Sequence, residues 1–236
     1  MSARLIVSAL AIGLAVLATL AQLDQQARLT PAYAGLVPDD FSGNAARERS
    51  KLALAMGEPE RSLAEARQQA ALRPIPAESL TILALAALAA EDAVTGRKAL
   101  EAASRRGWRE PISQLASAQS AMDQGQLAVA SQRIVALLST QNLAEPARAL
   151  LAQLVASPEG REQMAIRMSN FGRWQKATIT SAAGVADPED WAETVALALE
   201  KGADLPCSEV QRLSERYERT GASAAAAILM EADCPS

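Results

Sequence analysis

Cys207 and Cys234 are the only cysteines in the chain, and the chemistry open to them is oxidation to a disulfide. Their separation of 27 residues matches no C-x-x-C redox or zinc pattern. Cys207 precedes a helix-favouring run that starts at Ser208, Cys234 follows a run that ends at Glu231, and Gly221 separates the two runs. In an antiparallel hairpin the start of the first helix lies beside the end of the second. The two sulfurs are therefore expected to meet and staple the C-terminus; the alternative is two unpaired buried thiols. Other reactive chemistry is sparse. The chain has no histidine, which removes the commonest general base and metal ligand. No Gly-rich phosphate loop, metal-ligand cluster or nucleophile elbow is present, so neither a cofactor nor a metal is expected and no catalytic residue is assigned. Glu189, Asp190 and Glu193 gather at a helix start, where acids complement the helix dipole. Trp108, Trp174 and Trp191 lie near element ends; with aromatics at 3% of the chain they are expected as packing anchors.

A disulfide requires an oxidising compartment, and the N-terminal segment offers a route to one. Leu5 to Leu23 carries no charge over 19 residues. As a helix that stretch spans roughly 28 Å, close to the hydrocarbon thickness of a bilayer. Arg4 precedes it, and Asp24 and Arg28 follow, which places the N-terminus in the cytoplasm by the positive-inside rule. The segment is either retained as a single-span anchor or removed as a signal peptide, with small-residue patterns at Ala18, Ala21 and Ala34. Both outcomes export the remainder. The residues beyond the segment carry 22 basic and 27 acidic side chains, which argues against nucleic acid or anionic lipid as the main partner.

The elements that would position the cysteines, and everything before them, read as helices. Half the chain is hydrophobic, but β-branched residues never form alternating runs. Gly, Pro and acidic breaks at Gly57, Pro74 to Pro76, Glu91, Gly107 to Pro111, Gly125 and Asn142 to Pro146 separate helical patterns of 11–15 residues. An all-α fold of antiparallel helical hairpins follows. Three of the breaks share a period: Gly57, Glu91 and Gly125 are spaced by 34 residues. Five positions later come the small residues Ser62, Gly96 and Ala130, and nine positions later Ala66, Leu100 and Ile134. Small residues at such a crossing let two helices approach closely.

This pattern resembles the tetratricopeptide repeat, with units at 43–76, 77–110 and 111–144. The middle unit departs from that motif, having Glu91 for the turn glycine and Gly96 within its second helix. The resemblance implies a TPR-like α-solenoid whose first helices line a concave groove for protein segments. The matching positions are Thr81, Leu85 and Leu88 in the second unit and Leu115, Gln119 and Met122 in the third. These side chains suit either a hydrophobic peptide or a cover made by the chain's own C-terminal helices. The organisation expected is an anchor or signal segment (1–28), a linker (29–43), helical repeats (44–144) and a C-terminal helical capping region (145–236). The functional expectation is a scaffold that binds a protein partner, tethered to a bacterial inner membrane by one span with its bulk in the periplasm, or secreted there after cleavage. An enzyme or enzyme accessory of envelope polysaccharide or murein metabolism, and a structural spacer, are the alternatives.

Overall fold

The computed structural model describes residues 2–141, 143–170, 174–232 and 234; Asn142 of one expected break and Phe171 to Arg173 lie outside them. Among the described residues every regular element is helical. The chain divides into two units, Met1–Gly107 and Trp108–Ser236. The first contains α1 (Ser2–Leu29), two 3-10 turns (Pro31–Leu36 and Asp39–Phe41), α2 (Ala45–Ala55), α3 (Pro59–Leu72), α4 (Ala77–Ala89) and α5 (Ala93–Arg106). The second contains α6 (Pro111–Asp123), α7 (Leu127–Thr140), α8 (Ala144–Val155), α9 (Pro158–Met168), α10 (Trp174–Ala182), α11 (Pro188–Glu200), α12 (Cys207–Thr220) and α13 (Ser223–Glu231).

The periodic breaks fold alike. Gly57, Glu91 and Gly125 all take left-handed backbone, with φ of +73°, +62° and +67°. The next residue's N–H then reaches the carbonyl five positions back, Glu58 to Ala53, Asp92 to Ala87 and Gln126 to Ala121, each at 2.8 Å. This is the helix-ending motif that satisfies carbonyls left open at a C-terminus. Three buried alanines stand at the equivalent acceptor positions. Prolines at Pro59, Pro111, Pro158 and Pro188 open helices, where a missing N–H costs nothing. The resulting hairpins are α2/α3, α4/α5 and α6/α7.

In the first unit close approach replaces bulk. Ser50 and Ser62 share a hydroxyl contact of 2.9 Å between α2 and α3, and each hydroxyl also donates to the other's carbonyl. At Gly96 a β-carbon would stand 2.7 Å from the Leu88 side chain, so α4 and α5 need this position empty or Leu88 displaced. The 29–43 stretch, expected as a linker, is instead packed structure. Ala34 and Val37 are buried with Ala27 and Ala45, and Arg49 donates to the carbonyls of Ala34 (3.0 Å) and Val37 (3.4 Å) while pairing with Glu65. Its lack of helical period reflects two short 3-10 turns rather than freedom.

The second unit has the larger aliphatic core, with Ile134, Leu151, Leu154, Met164, Met168 and Trp191 fully buried. Full burial of each such side chain stabilises by about 1.5–3 kcal/mol. The stretch 174–182, irregular in pattern, is a helix because Ile179 and Ala182 pack into this core. Trp191 is an anchor as expected, its indole N–H donating to the Ile179 carbonyl at 3.2 Å. Trp108 is not: it is 52% exposed, and its ring lies under the Arg109 guanidinium at 4.5 Å.

Candidate functional site

The expected disulfide forms. Cys207 begins α12, Cys234 follows α13, and their Cα atoms are 5.8 Å apart in a bonded pair. Gly221, with φ of +84°, reverses the chain between the two helices. Beside the bond, the buried Glu209 carboxylate receives Arg212 at 2.8 Å and Lys176 at 3.4 Å, tying α10 and α12 together.

The six groove positions fall in two groups. Thr81, Leu85 and Leu88 are on α4 of the first unit, and Leu115, Gln119 and Met122 are on α6 of the second. Thr81 is buried, and its hydroxyl donates to the Ala77 carbonyl. Leu85 is half-buried, while Leu88 is exposed and lies over Gly96. Leu115 and Met122 pack half-buried against the second core, and Gln119 is exposed with its amide donating to Asp123 at 3.0 Å. Within each group the side chains therefore range from core to surface rather than forming one apolar floor.

A clearer concavity lies elsewhere, on the C-terminal helices. α11 and α13 frame a groove of about 760 Å³. Leu197, Ile228 and Ala232 line its apolar part, and Glu193, Glu200 and Glu231 line its acidic part. Arg161 holds Glu193 at 2.9 Å and Asp190 at 2.7 Å, so α9 fixes that side. Glu200 and Glu231 are exposed and open to a partner's charge. The sequence contains a signal for this groove: in Val195 to Leu199 the apolar residues run wider than the one stripe a surface helix needs. Reading these helices only as a cap passes over that surplus.

A second depression, of about 320 Å³, sits where α1 enters the first unit and is lined by Asp24, Phe41, Asn44, Leu72 and Arg73 among others. The buried Asp24 carboxylate accepts the backbone N–H of Asn44 (2.8 Å), the N–H of Ala45 (2.8 Å) and the Asn44 side-chain amide (2.9 Å). It thereby caps α2 from 20 residues upstream, taking two donors that a helix start leaves open. The Arg73 guanidinium donates in turn to the Asn44 side-chain oxygen.

Two groups titrate away from their ordinary ranges. Hydrogen bonds from Thr95 hold the Asp92 carboxyl below its usual value, as expected of the residue capping α5. Burial pushes the Tyr217 phenol up to about 12, and its hydroxyl has no hydrogen-bond partner. No family model, curated protein or solved structure matches this chain. Among the described residues α1 is the one helix long and apolar enough to cross a membrane, with Leu5, Ile6, Leu10, Ile12, Leu14 and Leu17 all exposed.

Proposed function

We propose that this protein is a membrane-tethered, periplasm-facing adaptor or assembly factor that holds a protein segment for an envelope complex. Its hairpins then act as a divergent tetratricopeptide-like scaffold. The observation that carries the reading is the α11–α13 groove, an apolar floor beside Glu200 and Glu231. Such a surface suits an amphipathic helix with basic flanks, whose apolar face fills the floor while its charges meet the rim. The exposed apolar surface of α1 supports the tether, and the Cys207–Cys234 bond fits an oxidising compartment.

A photoreactive residue at Ile228 in the full-length protein, irradiated in native membranes, tests this. One discrete protein adduct is expected, weakened when Glu200 and Glu231 are changed to Lys. If photoprobes at Ile228, Leu88 and Gln119 all give no discrete adduct, the adaptor reading fails.

A further inference from the structure

The structure places a second hydrophobic element at the foot of the apolar helix. α1 does not end where its apolar run ends. It continues to Leu29, and its last turns are built into the first unit through buried Asp24 and Ala27. The chain then doubles back so that Asn44 touches Asp24 at 2.8 Å, and Asn44 in turn receives Arg73. Arg73 opens the α3–α4 connection, Arg73-Pro74-Ile75-Pro76. At its other side, Arg106 at the end of α5 donates to the Pro74 carbonyl at 2.5 Å. Leu72 and Arg73 line one depression with Asp24 and Gln25, so the start of the α3–α4 connection lies beside the point one residue past the charge-free run of α1, and Arg106 is tied to that connection through Pro74.

Within that connection Ile75 is 81% exposed, more than any other large hydrophobic side chain of the described residues, and Leu72 just before it is also exposed. Two prolines flank Ile75 and stiffen its backbone, so the side chain is presented at little entropic cost. In water an isoleucine held this way gains nothing. Beside a membrane it has a solvent.

We infer that the α3–α4 connection is a membrane-docking wedge: Ile75 and Leu72 enter the headgroup–acyl boundary of the bilayer that α1 crosses, with Arg106 at the phosphates. The inference rests on the reading of α1 as a membrane span. The occupant is phospholipid rather than protein because Leu72 lines one depression with Asp24 and Gln25, at the end of the charge-free, outward-facing run of α1. The interfacial layer is about 5–8 Å thick on each side, enough to receive one side chain of this reach. Arginine snorkels at such depths, its stem in the apolar layer and its charge among the phosphates. Asp40 lines the same depression and subtracts one charge, so apolar insertion rather than net charge drives the contact.

Spin labels test this in the full-length protein reconstituted into phosphatidylcholine–phosphatidylglycerol vesicles. Both native cysteines are in the disulfide, so an introduced cysteine labels selectively without reductant. Labels go on Ile75→Cys, on Leu14→Cys within the apolar run and on Met56→Cys at the end of α2, and depth is read from the balance of oxygen and nickel-chelate accessibility. Ile75→Cys is expected at the interface, Leu14→Cys in the hydrocarbon and Met56→Cys in water. With the label at Leu72→Cys, adding Arg106→Gln is expected to lower the docked-to-free ratio about fivefold, the equivalent of about 1 kcal/mol for one arginine at an anionic surface. Adding Arg106→Lys instead retains most of it. A water-exposed label at Ile75→Cys together with a hydrocarbon-buried one at Leu14→Cys overturns the wedge and leaves the span intact. A water-exposed label at Leu14→Cys overturns the span, and the wedge with it.

Discussion

Removal of one carboxylate should unfasten the apolar helix from the domain it enters. Asp24 accepts three hydrogen bonds, two from the backbone at the start of α2 and one from the Asn44 amide. In Asp24→Ala the N–H groups of Asn44 and Ala45 lose their acceptor, at a cost of about 1–3 kcal/mol for each donor left buried. Two effects reduce the total. The native state no longer bears the desolvation of a buried charge, and the adjoining depression lets water reach the freed donors. A net loss of about 2.5 kcal/mol results, somewhat above the roughly 0.5–2 kcal/mol of a single lost helix cap because two backbone donors lose their acceptor together. Asp24→Asn keeps an acceptor oxygen but turns its amide toward the Asn44 amide, and should fall between Asp24→Ala and the native protein. Hydrogen exchange in detergent micelles reads the effect locally. In Asp24→Ala the opening equilibrium at the first turn of α2 should rise about seventyfold, the factor for 2.5 kcal/mol, while the core amides of the second unit keep their native rates. Unchanged exchange at 44–48 would refute the reasoning, because the carboxylate would then not be what closes the junction. The same geometry bears on processing. Cleavage after Ala34 would remove Asp24 and Ala27 together, so the intact mass of protein from native membranes should retain Asp24.

Four further outcomes follow from individual contacts. Glu91 holds a left-handed φ that glycine takes without strain, so Glu91→Gly should stabilise the first unit by about 1 kcal/mol in urea unfolding. A β-carbon on Gly160 would stand 1.7 Å from the Leu154 backbone oxygen, whereas one on Gly96 meets the Cγ and Cδ2 of Leu88 at 2.7 Å, an exposed side chain that can swing into solvent, and the Ala84 carbonyl oxygen only at 3.4 Å. Gly160→Ala should therefore lose about 3 kcal/mol while Gly96→Ala stays within about 1 kcal/mol of native, its clash offset by better helix propensity. Replacing Cys207 and Cys234 with Ser frees a loop closed across 27 residues and should cost about 3.5 kcal/mol on the chain-entropy account, read as a lower midpoint of the second unit's unfolding. Tyr217 binds its proton more tightly when folded, with a pKa of about 12 against 10 for the ordinary phenol. Its contribution is thus complete below pH 10 and lost as pH rises from 10 to 12, with a slope up to about 1.4 kcal/mol per pH unit that Tyr217→Phe should abolish.

Local signals in the sequence carried the helices, their hairpin turns and the cystine. The left-handed turns at Gly57, Glu91 and Gly125 were legible from spacing even where glutamate replaced glycine, because a helix end needs the same backbone whatever residue supplies it. Pairing of Cys207 with Cys234 was legible because the reversal at Gly221 makes a long sequence separation a short spatial one. The apolar run was legible from composition alone. Tertiary structure decided what no local window contains. Asp24 reads as the charge that ends an apolar run, yet it caps a helix 20 residues away. Residues 29–43 read as a linker because 3-10 turns have no amphipathic period, and packing against Ala27 and Arg49 orders them. Ile75 is one exposed isoleucine until the connection that carries it is seen to be tied, through Arg73 and Asn44, to Asp24 on α1. Trp108 and Trp191 look alike in sequence, and only the neighbours that fold around each make one a core anchor and leave the other in solvent. Secondary structure follows from interactions a few residues apart, which a sequence displays directly. Surfaces, grooves and long-range caps depend on which segments come to lie together, and that is settled only when the whole chain packs.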